Sequence, residues 1–174
     1  MHPLLENFVA RAREAAAGED PASAVRTVLQ DVLAEPTTYA EIIAAQDADE
    51  DHLFEDDTVS IWTCRFHGRE LTPPHEHRLP VHIAVVGGVE RNLMYRQRYG
   101  ELFEAAEKDV HAGEMLSLGP EAVHAVTAGT EEPSLALHVY LGPLTRIERS
   151  LFNWRTGEAL PFTMENFTAM SRRI

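Results

Sequence analysis

Pro73-Pro74-His75-Glu76-His77-Arg78-Leu79-Pro80-Val81-His82-Ile83-Ala84-Val85-Val86-Gly87-Gly88 is the stretch on which the fold turns. Paired prolines and paired glycines bracket it as turn punctuation, and between them runs a short, mostly β-branched segment of the kind that forms a buried strand. Residues two apart on a strand point to the same face, about 6 to 7 Å apart along the chain. His75 and His77 can therefore grip one ion.

Downstream, short apolar or alternating runs follow at close intervals: Val89 to Arg98, Leu102 to Val110, Met115 to Leu118, Ala122 to Ala128 and Leu135 to Leu141, with Val59 to Phe66 before the histidine pair. The breaks carry Gly or Pro, at Gly68, Gly100, Gly113, Gly119-Pro120 and Gly129 to Pro133. Strands at this spacing without intervening helices predict an antiparallel sandwich or barrel. Upstream the period is helical. Leu4, Leu5, Phe8, Val9 and Ala12 predict a first helix ending near Gly18, and Val25, Val28, Leu29, Val32 and Leu33 a second from Pro21 that stops before Pro36. A third is expected over Thr38 to Ala45. The acidic run Asp47 to Asp57 reads as a solvated loop. The tail from Leu151 to Ile174 reads as a strand or two plus a short helix packed on the barrel. The expected organisation is one domain, 1–174, with a helical prelude over 1–48, a β-barrel over 52–150 and a C-terminal extension over 151–174.

The 174 residues carry a formal charge of −13, which opposes binding to phosphate backbones and anionic lipid surfaces. Neither nucleic acid nor membrane is an expected partner. One cysteine, Cys64, forms no intrachain disulfide, no apolar run spans a bilayer, and the first residues lack a leader pattern, so a reducing cytoplasm is the expected compartment. Cys64 itself reads as a buried, inert thiol. The departure from ordinary composition is histidine: nine in all, eight of them between His52 and His138. Of these, His52, His67 and His111 read as surface residues.

His124, after the Gly119-Pro120 turn, supplies a distant third imidazole that a returning strand could set beside the pair. Three neutral protein ligands leave positions open on the ion, which suits binding of substrate and O₂ at iron; the same set could hold zinc with one water. The spacing resembles the two motifs of the cupin superfamily, G-x₅-H-x-H-x₃₋₄-E-x₆-G and G-x₅-P-x-G-x₂-H-x₃-N. Gly68 precedes His75 by six residues instead of five, Gly87-Gly88 closes the first motif, and Gly113, Pro120 and His124 follow the second, with Ala122 and Ala128 replacing its glycine and asparagine. The resemblance implies a mainly β fold, the cupin double-stranded β-helix or jelly-roll-like barrel. Where the first motif places glutamate this chain has His82, which is a fourth ligand, a pocket residue or a core histidine satisfied by a neighbour.

Leu135-Ala136-Leu137-His138-Val139-Tyr140 further resembles the S-x-H-x-Y stretch of the cysteine dioxygenase-like cupins, in particular a bacterial branch of these thiol dioxygenases. What that implies is Fe(II) on His75, His77 and His124 (with Zn, Ni or Mn as alternatives), and Tyr140, oriented by His138, supplying a proton or hydrogen bond at the reacting oxygen. The implied activity is oxidation of a small, thiol-type substrate with O₂, and a homodimer is left open. The family's serine is Ala136 here, with Ser134 nearby, and its early arginine finds only His52 in Ala48 to His52. Arg65, Arg96 and Arg98 are the candidate replacements. The alternative is a non-redox metal-binding cupin: a lyase, an isomerase or a small-molecule binding barrel.

Overall fold

The computed structural model describes residues 1–98 and 101–174, so the expected break at Gly100 lies outside the described residues. Helices α1 (Pro3–Ala16), α2 (Pro21–Ala34) and α3 (Pro36–Ala44) each open on proline, whose missing N–H is one that a first turn leaves unpaired anyway. That is why the third helix starts two residues before the expected Thr38. Asp20 caps α2 by accepting from the Ser23 amide. No helix among the described residues is long and apolar enough to cross a membrane.

The strands are β1 (Glu50–Glu55), β2 (Ser60–Phe66), β3 (Glu70–Leu71), β4 (His75–Glu76), β5 (Val81–Gly87), β6 (Val89–Arg98), β7 (Glu101–His111), β8 (Met115–Leu118), β9 (Val123–Ala128), β10 (Ser134–Tyr140), β11 (Ser150–Phe152) and β12 (Ala159–Pro161); helix α4 (Met164–Met170) and strand β13 (Arg172–Arg173) end the chain. One sheet runs β1-β2-β10-β5-β8, the other β12-β11-β4-β9-β6-β7, and β13 pairs with β3. Consecutive β4 and β5 pair antiparallel with β9 and β8, and the chain crosses between the sheets at nearly every turn. This winding is a double-stranded β-helix, preceded by the helical segment.

The apolar run of β5 has no polar face because both of its faces are covered. Val81, Ile83 and Val85 point into the barrel with Leu116, Leu118, Ala136 and Tyr140. Ala84 and Val86 point out, beneath Phe8, Val25, Leu29 and Ile43 of the helices. A side chain at Gly88, whose φ is +64°, would meet the Pro133 carbonyl at 2.3 Å, so the turn into β6 requires glycine.

The acidic run is not a loop throughout. Glu50 to Glu55 form the edge strand β1, paired with β2 through a hairpin in which Asp56 accepts from the Thr58 and Val59 amides. An edge strand needs little apolar alternation, and the charges that suggested solvent are compatible with an exposed edge.

Candidate metal centre

His75 lies directly opposite His124 across the β4–β9 pair. His77 follows two residues on, beside Arg78, whose φ of +55° turns the chain out of β4 toward β5. The result is a buried three-histidine cluster: Nε2 of His75 and Nε2 of His77 are 3.1 Å apart, and Nε2 of His124 is 3.4 Å from that of His77. Ligands held roughly 2.0–2.1 Å from one ion stand about 2.8 to 3.4 Å apart at octahedral or tetrahedral angles, so the spacing fits a metal.

The hydrogen bonds on the far side of the rings fix which nitrogen faces inward. Nδ1 of His75 donates to the Pro73 carbonyl at 2.9 Å, leaving Nε2 as a bare lone pair. Nδ1 of His124 donates to Oδ1 of Asn92 at 2.7 Å, and Nδ2 of Asn92 donates in turn to Glu90 at 3.0 Å. A single proton would satisfy one pair of these converging nitrogens, whereas an ion satisfies all three. Burial pushes the His75 imidazole down to about 4. Burial, then the neighbouring imidazoles, hold His77 and His124 well below the ordinary histidine value. All three imidazoles are neutral near pH 7.

Beside the cluster, the Tyr140 ring packs against His77 at 4.9 Å between centroids. Its hydroxyl is 3.2 Å from Nδ1 of His138, whose Nε2 is 3.1 Å from Oε2 of Glu90. Burial, with Cys64 and Glu50 adding to it, raises the Tyr140 phenol well above its usual value, so it keeps its proton. Tyr140, His138 and Glu90 therefore form a buried hydrogen-bonded chain. Ser134 is buried, its hydroxyl has no hydrogen-bond partner, and it is outside this relay.

The three clustered histidines, His138 and Tyr140 line a cavity of about 280 Å³, walled further by Trp62, Phe66 and Phe162 and by Met164 and Phe167 from the C-terminal extension. The cavity holds a cation. The guanidinium of Arg149 sits 3.4 Å from the Phe162 ring centroid, and among the described residues it has no hydrogen-bond or ion-pair partner. Glu50, also on the cavity wall, has its carboxyl raised by burial, an effect that His138 and Arg149 oppose. Cys64 lies in the wall too, its thiol pushed up by burial and by Glu50 and Glu90, as an inert thiol should be.

Several expected site residues lie elsewhere. His82 alternates out of the barrel toward the helices, with Nδ1 2.8 Å from Oγ of Ser117 and Nε2 buried without a partner. It is neither in the cluster nor in the cavity, because Val81 and Ile83 occupy the inward face of β5. Arg65 is tied to Asp49 at 2.5 Å and to the carbonyls of Ala44 and Gln46. Arg96 and Arg98 are exposed at the far end of β6. His52 stacks on Trp62, His67 pairs with Asp49, and Glu76 pairs with Arg78. Glu90, Asn92, Glu50 and Arg149 were not anticipated. Glu90 and Asn92 alternate on one face of β6, a periodicity that is usually read as the solvent side; Arg149, in an irregular segment, carries no such signal.

No family model matches the chain, and no curated protein matches it. Several solved structures are similar to part of the chain. An uncharacterized conserved protein with a double-stranded β-helix domain from Klebsiella pneumoniae is 14% identical, with 65% of this chain and 87% of that one covered and a TM-score of 0.49. A cupin superfamily protein from Desulfitobacterium hafniense is 17% identical over 59% of this chain and 85% of that one, TM-score 0.46. Oxalate decarboxylase from Bacillus subtilis is 18% identical over 54% of this chain and 24% of the other, TM-score 0.43.

Proposed function

We propose that the chain is a mononuclear non-haem iron cupin of the thiol dioxygenase kind, oxidising a small thiol that also bears a carboxylate. The observation that carries the reading is three neutral imidazoles, with no carboxylate among them, on the wall of a cavity that also holds a hydrogen-bonded phenol and a guanidinium with no hydrogen-bond or ion-pair partner among the described residues. Fe(II) bound there would supply adjacent positions for the thiol sulfur and O₂. With no anionic ligand, the site keeps its positive charge for the substrate.

Arg149 offers an anionic substrate a positive charge besides that of the metal. Its guanidinium presents a planar fork that matches a carboxylate, and the Phe162 ring beneath fixes its plane. The Phe66, Phe162 and Phe167 rings make part of the cavity wall apolar. Tyr140 holds its proton at the hydroxyl, and His138 and Glu90 orient it. The same relay could serve general acid–base work in a non-redox lyase or isomerase, which is the second reading.

The test is metal analysis followed by oxygen uptake by the iron-loaded protein, using two- and three-carbon thiols with and without a carboxylate. Uptake is expected with the carboxylated thiols. No uptake with any of them overturns the dioxygenase reading.

A further inference from the structure

The geometry points to Glu90 as the positioning residue of the centre: one buried carboxylate sets both the nitrogen that His124 turns inward and the direction of the hydrogen bond between Tyr140 and His138. The inference rests on the three-imidazole metal reading, and its test separates the two.

Glu90 is fully buried and stands in the middle of an unbroken chain of side chains. On one arm Oε1 accepts from Nδ2 of Asn92 at 3.0 Å, and Oδ1 of Asn92 accepts from Nδ1 of His124 at 2.7 Å. On the other arm Oε2 is 3.1 Å from Nε2 of His138, and Nδ1 of His138 is 3.2 Å from the Tyr140 hydroxyl. A carboxylate only accepts. The Asn92 amide must therefore face it with its NH₂ group, which leaves the Asn92 oxygen for His124, puts the His124 proton on Nδ1 and bares Nε2. By the same rule Nε2 of His138 donates to Glu90; in the neutral form of that ring Nδ1 then accepts, and the Tyr140 hydroxyl is the donor.

His138 is the single ionisable partner of Glu90 among the described residues, and a buried carboxylate with so little compensation is costly. Glutamine has the same shape and a smaller desolvation cost, so in a purely structural role it would serve as well. It cannot serve both arms. An amide accepts at its oxygen and donates at its nitrogen, so a glutamine must present NH₂ either to Asn92 or to His138. In the first case Asn92 flips, His124 gives up the proton on Nδ1, and the ligand nitrogen becomes protonated. In the second, His138 changes tautomer and Nδ1–H donates to the Tyr140 oxygen, which turns the phenol proton away. With a metal bound, the second is favoured, because a metal–imidazole bond outweighs one hydrogen bond from a phenol.

The experiment is ¹⁵N NMR of the histidine rings in metal-free and Zn(II)-loaded protein, wild type and Glu90→Gln. Zinc is diamagnetic, and the shifts report the tautomers directly. Expected in the zinc-loaded protein is His138 protonated on Nε2 in the wild type and on Nδ1 in Glu90→Gln, with His124 unchanged. In the metal-free protein one of the two imidazoles inverts. If neither changes in either state, the inference is overturned. Asn92→Ala provides a second readout that does not depend on how Glu90→Gln folds: Zn(II) affinity, measured by chelator competition, is expected to fall roughly 10- to 100-fold. Unchanged affinity overturns the His124 arm. If wild-type protein binds no zinc, the metal reading fails, while the metal-free tautomers still decide the role of Glu90.

Discussion

His75 and His124 are paired residues on neighbouring antiparallel strands, their ring centroids 4.6 Å apart, although 48 residues separate them in the chain. Register brings the first two ligands together, and His77 closes the set from the turn that follows.

Removing two of the three nitrogens should therefore abolish the site. His75→Ala/His77→Ala protein is expected to lose stoichiometric metal. Wild-type protein in zinc at 100 times Kd should gain about 2.7 kcal/mol of stability, and the double variant none. Equal thermal shifts in the two proteins would remove the metal centre.

The metal-free protein should lose stability on mild acidification. The native state holds His75 neutral down to about 4, whereas the unfolded chain binds that proton below about 6.5, so between those values the unfolded state holds more protons. Stability is then complete above about pH 6.5 and falls toward pH 4, with His75 alone accounting for about 3 kcal/mol. His77 and His124 act in the same direction. Urea midpoints across this range measure it, and a flat profile contradicts it.

Arg149→Ala should discriminate between substrates. A hydrogen bond to a charged group contributes about 1.5 to 3 kcal/mol, so KM for a carboxylated thiol should rise about 10- to 100-fold. KM for the matching thiol without a carboxylate should change little. Equal effects on both would place the guanidinium outside substrate recognition.

His82→Ala should keep its metal. Its ring lies on the helix side of β5 with one buried nitrogen unpaired, so the change removes an unsatisfied polar atom and leaves the cluster intact. Metal content per chain is the measurement, and its loss would put His82 back among the ligands.

Much of the fold was legible because the strands of the barrel announce themselves by β-branched runs broken at glycine and proline, and because the apolar residues before them recur at the helical period. The H-x-H spacing likewise marked His75 and His77, although β4 is only two residues long and the left-handed Arg78 does part of the positioning. What alternation could not supply was the meaning of a polar face. Glu90 and Asn92 look like a solvated stripe on β6 and are fully buried inside the barrel. The motif left His82 open as a ligand, a pocket residue or a core histidine held by a neighbour, and the parity of β5 turns it outward onto Ser117. Edge strand β1 was hidden by its charge, and Arg149 by its irregular segment.

The crossing of the chain between two sheets has a consequence for the order of assembly. His75 and His77 come from β4 and the turn after it, Asn92 from β6, His124 from β9, Tyr140 from β10 and Arg149 from the segment before β11. In the unfolded chain only the H-x-H pair is local, so an ion meeting it finds two ligands and no His124. The third arrives only when long-range pairing is complete, which is the slow part of folding for such a topology. An ion taken up at this cluster would therefore enter late, tightening a finished barrel and not nucleating one.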